Sequence, residues 1–368
     1  MNRTGFVLLV VFAGVFFVGP EALGQTDIES LIEQTGVEPG PVASRDFPGW
    51  REPRKIIVRD IGGLYDEIRD MLPGVEFVRV LTEEEAIGKA AGADAILGFC
   101  GGRLVQAATD AIWIQVFGAG VERCLTVDKI RQGEVMLTNM QKMSSPVIGE
   151  HVVAMALGLS RGLIEFSKSM SDSRWLRNSD IGAGMQSYGG KTVLIAGLGG
   201  IGTEAARRFA ALDMRVIGTR RSSREGPDFV EYVGLSHELF ELAAGADFIV
   251  NALPHTPETE GLFNAEFFNA AKRGAYFINV GRGKTVVTRD LIAALESGQI
   301  AGAALDVTDP EPLPKSSPLW QMDNVIITPH VSGRGGNRIR HNILVRENLR
   351  RFVAGDALLN VVDPELGY

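Results

Sequence analysis

Apolar positions along this chain follow two alternating rhythms. Short continuous runs, bounded by Gly, Pro or charged residues, read as buried strands. Stretches with apolar residues three and four apart read as helices against a core. From Lys55 onward the two alternate. The pattern predicts strands at Lys55–Val58, Phe77–Leu81, Ala95–Gly98, Ile114–Val116 and Val135–Leu137, with helices over Leu64–Leu72, Glu83–Ala91 and Leu104–Ala111 between them. Pro146 opens a long helix, Val147 to about Met170, apolar on most faces, and a loop-rich stretch, Ser171–Gly190, follows. A second alternating array runs from Lys191 to about Ser332, and a periodic tail, Arg338–Val353, ends at Gly355. Strands alternating with helices imply parallel sheets covered on both faces. The fold class is therefore α/β: two Rossmann-like, doubly wound parallel-sheet domains with a cleft between them.

The most informative segment opens the second array. The apolar run Thr192–Ala196 leads into Gly197-Leu198-Gly199-Gly200-Ile201-Gly202; a helical stretch, Thr203–Leu212, and a second apolar run, Met214–Ile217, follow. Between a strand and a helix, G-x-G-x-x-G is a dinucleotide-binding fingerprint. Its glycines let the backbone approach a pyrophosphate, which the helix N-terminus attracts. Enzymes for NAD usually carry an acid after the second strand, on the ribose 2′-hydroxyl. Here Arg220 and Arg221 stand at that point. A guanidinium suits a 2′-phosphate, so NADP(H) is the expected cofactor, with NAD(H) possible.

The N-terminus departs from globular patterning. Arg3 precedes an unbroken apolar stretch from Gly5 to Gly19, Pro20 breaks it, and Ala22-Leu23-Gly24 resembles a small-residue cleavage site. That layout predicts a signal peptide over residues 1–24 and an exported protein, periplasmic or secreted. An uncleaved membrane anchor is the alternative; a twin-arginine signal is absent. Residues 25–50 read as a linker with one short helix near Ile28–Gln34. The substrate domain then spans 51–146 and is completed by 334–368, and the nucleotide domain spans 147–333.

With 368 residues and a net charge of −8, the chain is long enough for two cores and unsuited to broad nucleic-acid binding. Its two cysteines, Cys100 and Cys124, form no zinc ligand set. Two buried free thiols are the expected state, although a disulfide is conceivable outside the cytosol.

Candidate chemistry gathers at three strand ends. Arg282 follows the run Ala275–Val280, Glu311 follows Ala301–Val307, and His330 follows Val325–Thr328. Ligands of open parallel sheets bind beyond the carboxyl ends of strands. An Arg for a carboxylate, a His that moves a proton and a Glu that orients it suit hydride transfer to a 2-oxo acid.

These residues lie in segments that closely resemble the D-isomer-specific 2-hydroxyacid dehydrogenase family. The segments are Phe117-Gly118-Ala119-Gly120-Val121, Leu253-Pro254-His255-Thr256-Pro257, Asn279-Val280-Gly281-Arg282-Gly283, Leu305-Asp306-Val307 through Glu311-Pro312, and Thr328-Pro329-His330. The resemblance covers roughly Lys55 to the C-terminus. It implies that Arg282 binds the substrate's carboxylate and carbonyl, that His330 is the acid–base and that Glu311 is its partner. Asp306 would contact the nicotinamide carboxamide, and Leu253 and Pro254 would line the cofactor site. Backbone amides near Cys100-Gly101-Gly102 would hold the substrate carboxylate. Arg220 fits the NADP-using glyoxylate/hydroxypyruvate-reductase-like branch, with a small 2-oxo or 2-hydroxy acid as partner and a homodimer expected. Gly200 stands where many relatives carry Arg, which removes one phosphate contact. The alternatives are a non-enzymatic dinucleotide-responsive binding protein on this scaffold, and a dehydrogenase of the same fold acting on an anion such as phosphite. Two further features are expected to be structural. His151 would pack at the domain interface, and Gly158-Leu159-Ser160-Arg161-Gly162 matches G-x-S-x-G only by chance, since it lies in a helix.

Overall fold

The computed structural model describes residues 20–177, 185, 187–336 and 338–367. Most of the expected leader, residues 1–19, lies outside them.

The first described elements are a helix, Pro20–Thr35, and a strand, β1 (Pro39–Ala43), which pairs antiparallel with Ala357–Leu359 near the C-terminus. The short helix expected near Ile28–Gln34 falls within Pro20–Thr35, and the stretch read as a linker packs on the C-terminal helix. Ile28, Leu31 and Val37 are buried in one cluster with Leu344, Leu349 and Phe352 of the C-terminal helix, Arg338–Ala354. The indole of Trp50 donates to the carbonyl of Phe352 at 3.1 Å. Each buried aliphatic side chain contributes about 1.5–3 kcal/mol, enough to hold this segment in the domain. Cleavage after Gly24 would leave all of these contacts in place.

The first domain is a parallel sheet of β2 (Lys55–Arg59), β3 (Glu76–Val80), β4 (Ala95–Leu97), β5 (Trp113–Gln115) and β6 (Met136–Thr138), in the order β3-β2-β4-β5-β6. The helix Ser145–Ser160 leads into the second domain. The expected helix to Met170 is in fact two helices, because Gly162 takes a left-handed conformation at φ 68° and a second helix, Leu163–Ser171, departs at 69°. Continuous apolar character hid this break.

The second sheet comprises β7 (Thr192–Ala196), β8 (Arg215–Arg220), β9 (Tyr232–Leu235), β10 (Phe248–Asn251), β11 (Ala275–Asn279), β12 (Ile300–Leu305) and β13 (Val325–Ile327). Its order is β13-β12-β11-β10-β7-β8-β9, and all neighbouring strands run parallel. The central strands β7, β10 and β11 are buried along their whole length, which is why they read as unbroken apolar runs. The register matters for function. Ala196 pairs with Asn251, Asn251 with Asn279, Asn279 with Leu305, and Leu305 with Ile327. These strands thus end flush, and the loops after them share one rim. Strand order reverses between β7 and β10, the switch point where such sheets take their ligands.

Candidate active site

The glycine-rich segment turns from β7 into the helix Gly200–Ala210. Gly197 is left-handed at φ 94°, and a Cβ on Gly202 would collide with the Gly197 carbonyl. Only glycine permits this turn, which brings bare backbone to the rim. A cleft of about 330 Å³ opens there, lined by Leu198, Gly199, Gly200, Thr203 and Arg220. Arg220 ends β8, and its Nε is buried without a hydrogen-bond partner. An orphaned guanidinium nitrogen beside a phosphate-type loop fits a dinucleotide carrying a 2′-phosphate. Arg221 is exposed one residue on. Arg224 bridges to Glu238 and Tyr232 instead. Leu253 and Pro254 follow β10. A Cβ on Gly197 would lie 2.9 Å from the Leu253 side chain, and one on Gly281 2.6 Å from the Leu253 carbonyl. This segment therefore joins the phosphate end of the site to the Arg282 end.

Arg282 is placed by a buried polar network that no local pattern predicts. Asn251 Nδ2 donates to Asn279 Oδ1 at 3.0 Å and to Thr285 Oγ1 at 2.7 Å. Thr285 Oγ1 in turn donates to the Arg282 carbonyl at 2.7 Å. The side chain then crosses the cleft, where its Nε donates to Glu122 Oε1 of the first domain at 2.7 Å. Burial pushes the Glu122 carboxyl up, but the charge of Arg282, a backbone hydrogen bond and the hydrogen bond from Arg282 together hold the group below its usual range. Arg282 thus already binds a carboxylate from across the cleft. Glu122 follows Phe117–Val121 directly, and that adjacency was the one available signal for it.

His330 Nδ1 lies 2.7 Å from Glu311 Oε1, and both side chains are about half exposed. The other ring nitrogen, Nε2, is the atom left to meet a substrate oxygen. His330 has a left-handed backbone at φ 51°, a conformation that a non-glycine residue keeps only when its surroundings enforce it. Asp306 supplies that enforcement. Its carbonyl accepts from the His330 amide at 2.8 Å. Its carboxylate accepts from Thr328 Oγ1 at 2.6 Å and from the amides of Val331 and Ser332 at 2.9 and 3.0 Å. The Asp306 side chain has no exposed surface. Asp306, expected to contact the nicotinamide, clamps the loop that carries His330. His151 packs behind it, with Nε2 3.0 Å from Thr328 Oγ1, a contact within the second domain.

Burial would raise the Asp306 carboxyl, but hydrogen bonds from Ser332, Thr328 and the Val331 amide hold it below the carboxylate range. Its folded-state value lies below the unfolded one. It therefore stabilises the loop above the unfolded pKa of about 3.9, and that contribution is lost as pH falls toward the folded value. Asp306→Asn sets an amide NH2 against donors and should cost roughly 1–3 kcal/mol. Thermal unfolding from neutral to acid pH checks this: the variant should lose stability at neutral pH and show a flatter acid-side decline.

On the first domain, Cys100 and Gly101 lie in the loop after β4, and Gly102 opens a short helix, Gly102–Ala107. The Gly101 amide donates to Glu83 Oε1 at 2.8 Å, so that amide is already engaged. Cys100 and Cys124 are joined by a disulfide, which corrects the expectation of two free thiols. The bond ties the 100–102 loop to the segment carrying Glu122. Ser160 is buried and donates to Ala156 O and Tyr188 Oη at 3.0 and 2.8 Å, so the G-x-S-x-G match is structural. Among the described residues no cluster of His, Cys, Asp and Glu is arranged to hold a metal ion.

Comparison with known proteins agrees with this geometry. Residues 153–332 match the model of the NAD-binding domain of D-isomer specific 2-hydroxyacid dehydrogenases. A glyoxylate reductase/hydroxypyruvate reductase of Mus musculus is 35% identical over 250 residues, covering 67% of this chain and 75% of that protein. An NADPH-dependent glyoxylate/hydroxypyruvate reductase of Sinorhizobium meliloti, solved with NADP and sulfate, aligns with a TM-score of 0.73 and 30% identity over 86% of this chain and all of that one. A family member from Xanthobacter autotrophicus Py2, solved with NADPH and MES, gives the same TM-score, identity and coverage. With two flush-ended Rossmann-like domains and this rim of residues, the chain belongs to the D-isomer specific 2-hydroxyacid dehydrogenases, in the glyoxylate/hydroxypyruvate reductase branch of these NAD(P)-dependent enzymes.

Proposed function

We propose that Arg282, Glu311 and His330 carry out the NADPH-dependent reduction of a small 2-oxo acid, of the glyoxylate or hydroxypyruvate type, to the D-2-hydroxy acid. The carrying observation is the Nδ1-paired His330 on the same rim as a carboxylate-binding Arg282 and the orphaned Arg220. The cofactor, when bound, supplies the hydride. Arg282 exchanges Glu122 for the substrate carboxylate and stabilises charge as it develops on the carbonyl oxygen. Glu311 orients the imidazole through Nδ1, and His330 gives its Nε2 proton to that oxygen. In the reverse direction the same nitrogen takes the proton back. The test is a panel of 2-oxo acids with NADPH and NADH, read by loss of nicotinamide absorbance. Small 2-oxo acids should be consumed with NADPH, and an inert panel would refute the reading.

Arg220 sets the cofactor preference in this account. Arg220→Asp should invert it, because a carboxylate repels the 2′-phosphate and accepts from a free 2′-hydroxyl. The expected swing in the ratio of kcat/KM for NADPH over NADH is at least about 10²-fold, the worth of a charge-assisted pair lost and a repulsion gained. An unmodified protein that uses NADH equally well would refute the assignment.

Export through the N-terminal leader is part of the same reading. The disulfide supports it, since such bonds persist in oxidising compartments. N-terminal sequencing of the mature protein should find residue 25 first. A homodimer is supported by exposed large apolar side chains on and after the helix Leu163–Ser171, namely Leu163, Met170 and Trp175, the last 94% exposed. Molar mass in solution tests it.

A further inference from the structure

The cleft at the glycine-rich loop has a second wall. Beyond Arg220 and the loop itself, it is lined by Lys142 and by Gln34 and Arg340. These residues belong to the first domain and its two terminal helices. Lys142 precedes the helix Ser145–Ser160 and has a left-handed backbone at φ 70°. Its Nζ donates to the carbonyl of Gly36, just past the N-terminal helix. Its stem lies against the motif: a Cβ on Gly200 would meet Lys142 Cγ at 3.1 Å and Ser145 Oγ at 2.7 Å. Glycine at position 200 thus leaves the space that the lysine stem fills. The charges of the cleft are unbalanced. Lys142, Arg220 and Arg340 face one acid, Glu204, which already bridges Arg207 and Arg208. Arg340 Nη2 donates to Gln34 Oε1 at 2.8 Å, and Glu38 acts on Lys142 from outside the lining. An ammonium has three donors, and the bond to Gly36 uses one.

We propose that Lys142 is a pyrophosphate-binding residue that reaches the cofactor from the opposite domain and is held in place by the segment after the N-terminal helix. It supplies, across the cleft, the cation that Gly200 does not supply from the motif helix. The inference rests on the dinucleotide reading of this cleft. It separates two cationic tasks, Lys142 on the phosphates common to both dinucleotides and Arg220 on the 2′-phosphate. It also makes the N-terminal segment, Gly36 included, a support of the cofactor site. Burial already pushes the Lys142 ammonium below its ordinary value, and a bound anion would restore it.

The test measures dissociation constants of NADPH and NADH by nicotinamide fluorescence on the full-length mature protein, without substrate. Lys142→Met keeps the stem that packs on Gly200 and removes the charge. It should weaken both dinucleotides by about tenfold or more, the scale of one charge-assisted hydrogen bond. Lys142→Arg should recover most of that loss, which separates lost charge from disturbed packing. Arg220→Ala should weaken NADPH alone. Lys142→Met affinities within twofold of the parent for both dinucleotides, with an unchanged melting temperature, would overturn the proposal. Loss confined to NADPH would overturn it as well, by moving Lys142 to the 2′-phosphate. A parent protein that binds neither dinucleotide would instead overturn the cofactor reading on which the proposal rests.

Discussion

His330→Ala is expected to lower kcat for 2-oxo acid reduction by roughly 10²–10⁴-fold, the usual worth of a positioned general acid. NADPH affinity should stay nearly unchanged, because His330 sits beyond β13 while the phosphate loop follows β7, with three strands between them in the sheet. The split is diagnostic. A ring that only braced its loop would, on removal, change stability and leave turnover near normal. His330 is about half exposed and its loop is clamped independently by Asp306, so truncating the ring should shift the melting temperature little. Rapid-mixing kinetics and fluorescence titration of NADPH together give both numbers.

Arg282→Ala should be comparably severe, but in a different parameter. The guanidinium is the group proposed to meet the substrate carboxylate, and losing one partner of such a pair costs about 2–5 kcal/mol. The loss in kcat/KM is therefore expected near 10²–10³-fold or beyond, carried largely by KM. The variant also strands Glu122, whose carboxylate is held ionised by Arg282. Near-normal kcat/KM in this variant would assign the Glu122 pair a purely structural role and move the anion site elsewhere.

How legible the site was follows from where each part comes from. The motif loop, Arg282, Glu311 and His330 stand next to strands whose continuous apolar runs mark them plainly, and a parallel sheet brings strand ends together whatever the spacing along the chain. Asn251 and Asn279 were invisible because their partners are fixed only by strand register. Glu122 and Lys142 act across the cleft, 160 residues from Arg282 in the first case, and no local pattern reports such a contact. The pairing of Cys100 with Cys124 depends on two loops meeting in space. The packing of the N-terminal segment is not legible because its apolar residues, Ile28, Leu31 and Val37 among them, stand among Gly, Pro and acids. Only the C-terminal helix they pack on reveals their burial. Strand alternation also does not fix a side chain's direction beyond the strand end, so the bonds from the Asp306 carboxylate to the His330 loop are legible only in the structure.

The central claim is hydride transfer to the carbonyl carbon with His330 as proton donor. The most direct measurement supplies hydroxypyruvate with NADPH deuterated at the transferring position and analyses the product. The expected result is glycerate of D configuration, with one deuterium at C2, and no such product from His330→Ala on the same timescale. Unlabelled product, the L isomer, or full activity without His330 would contradict the account.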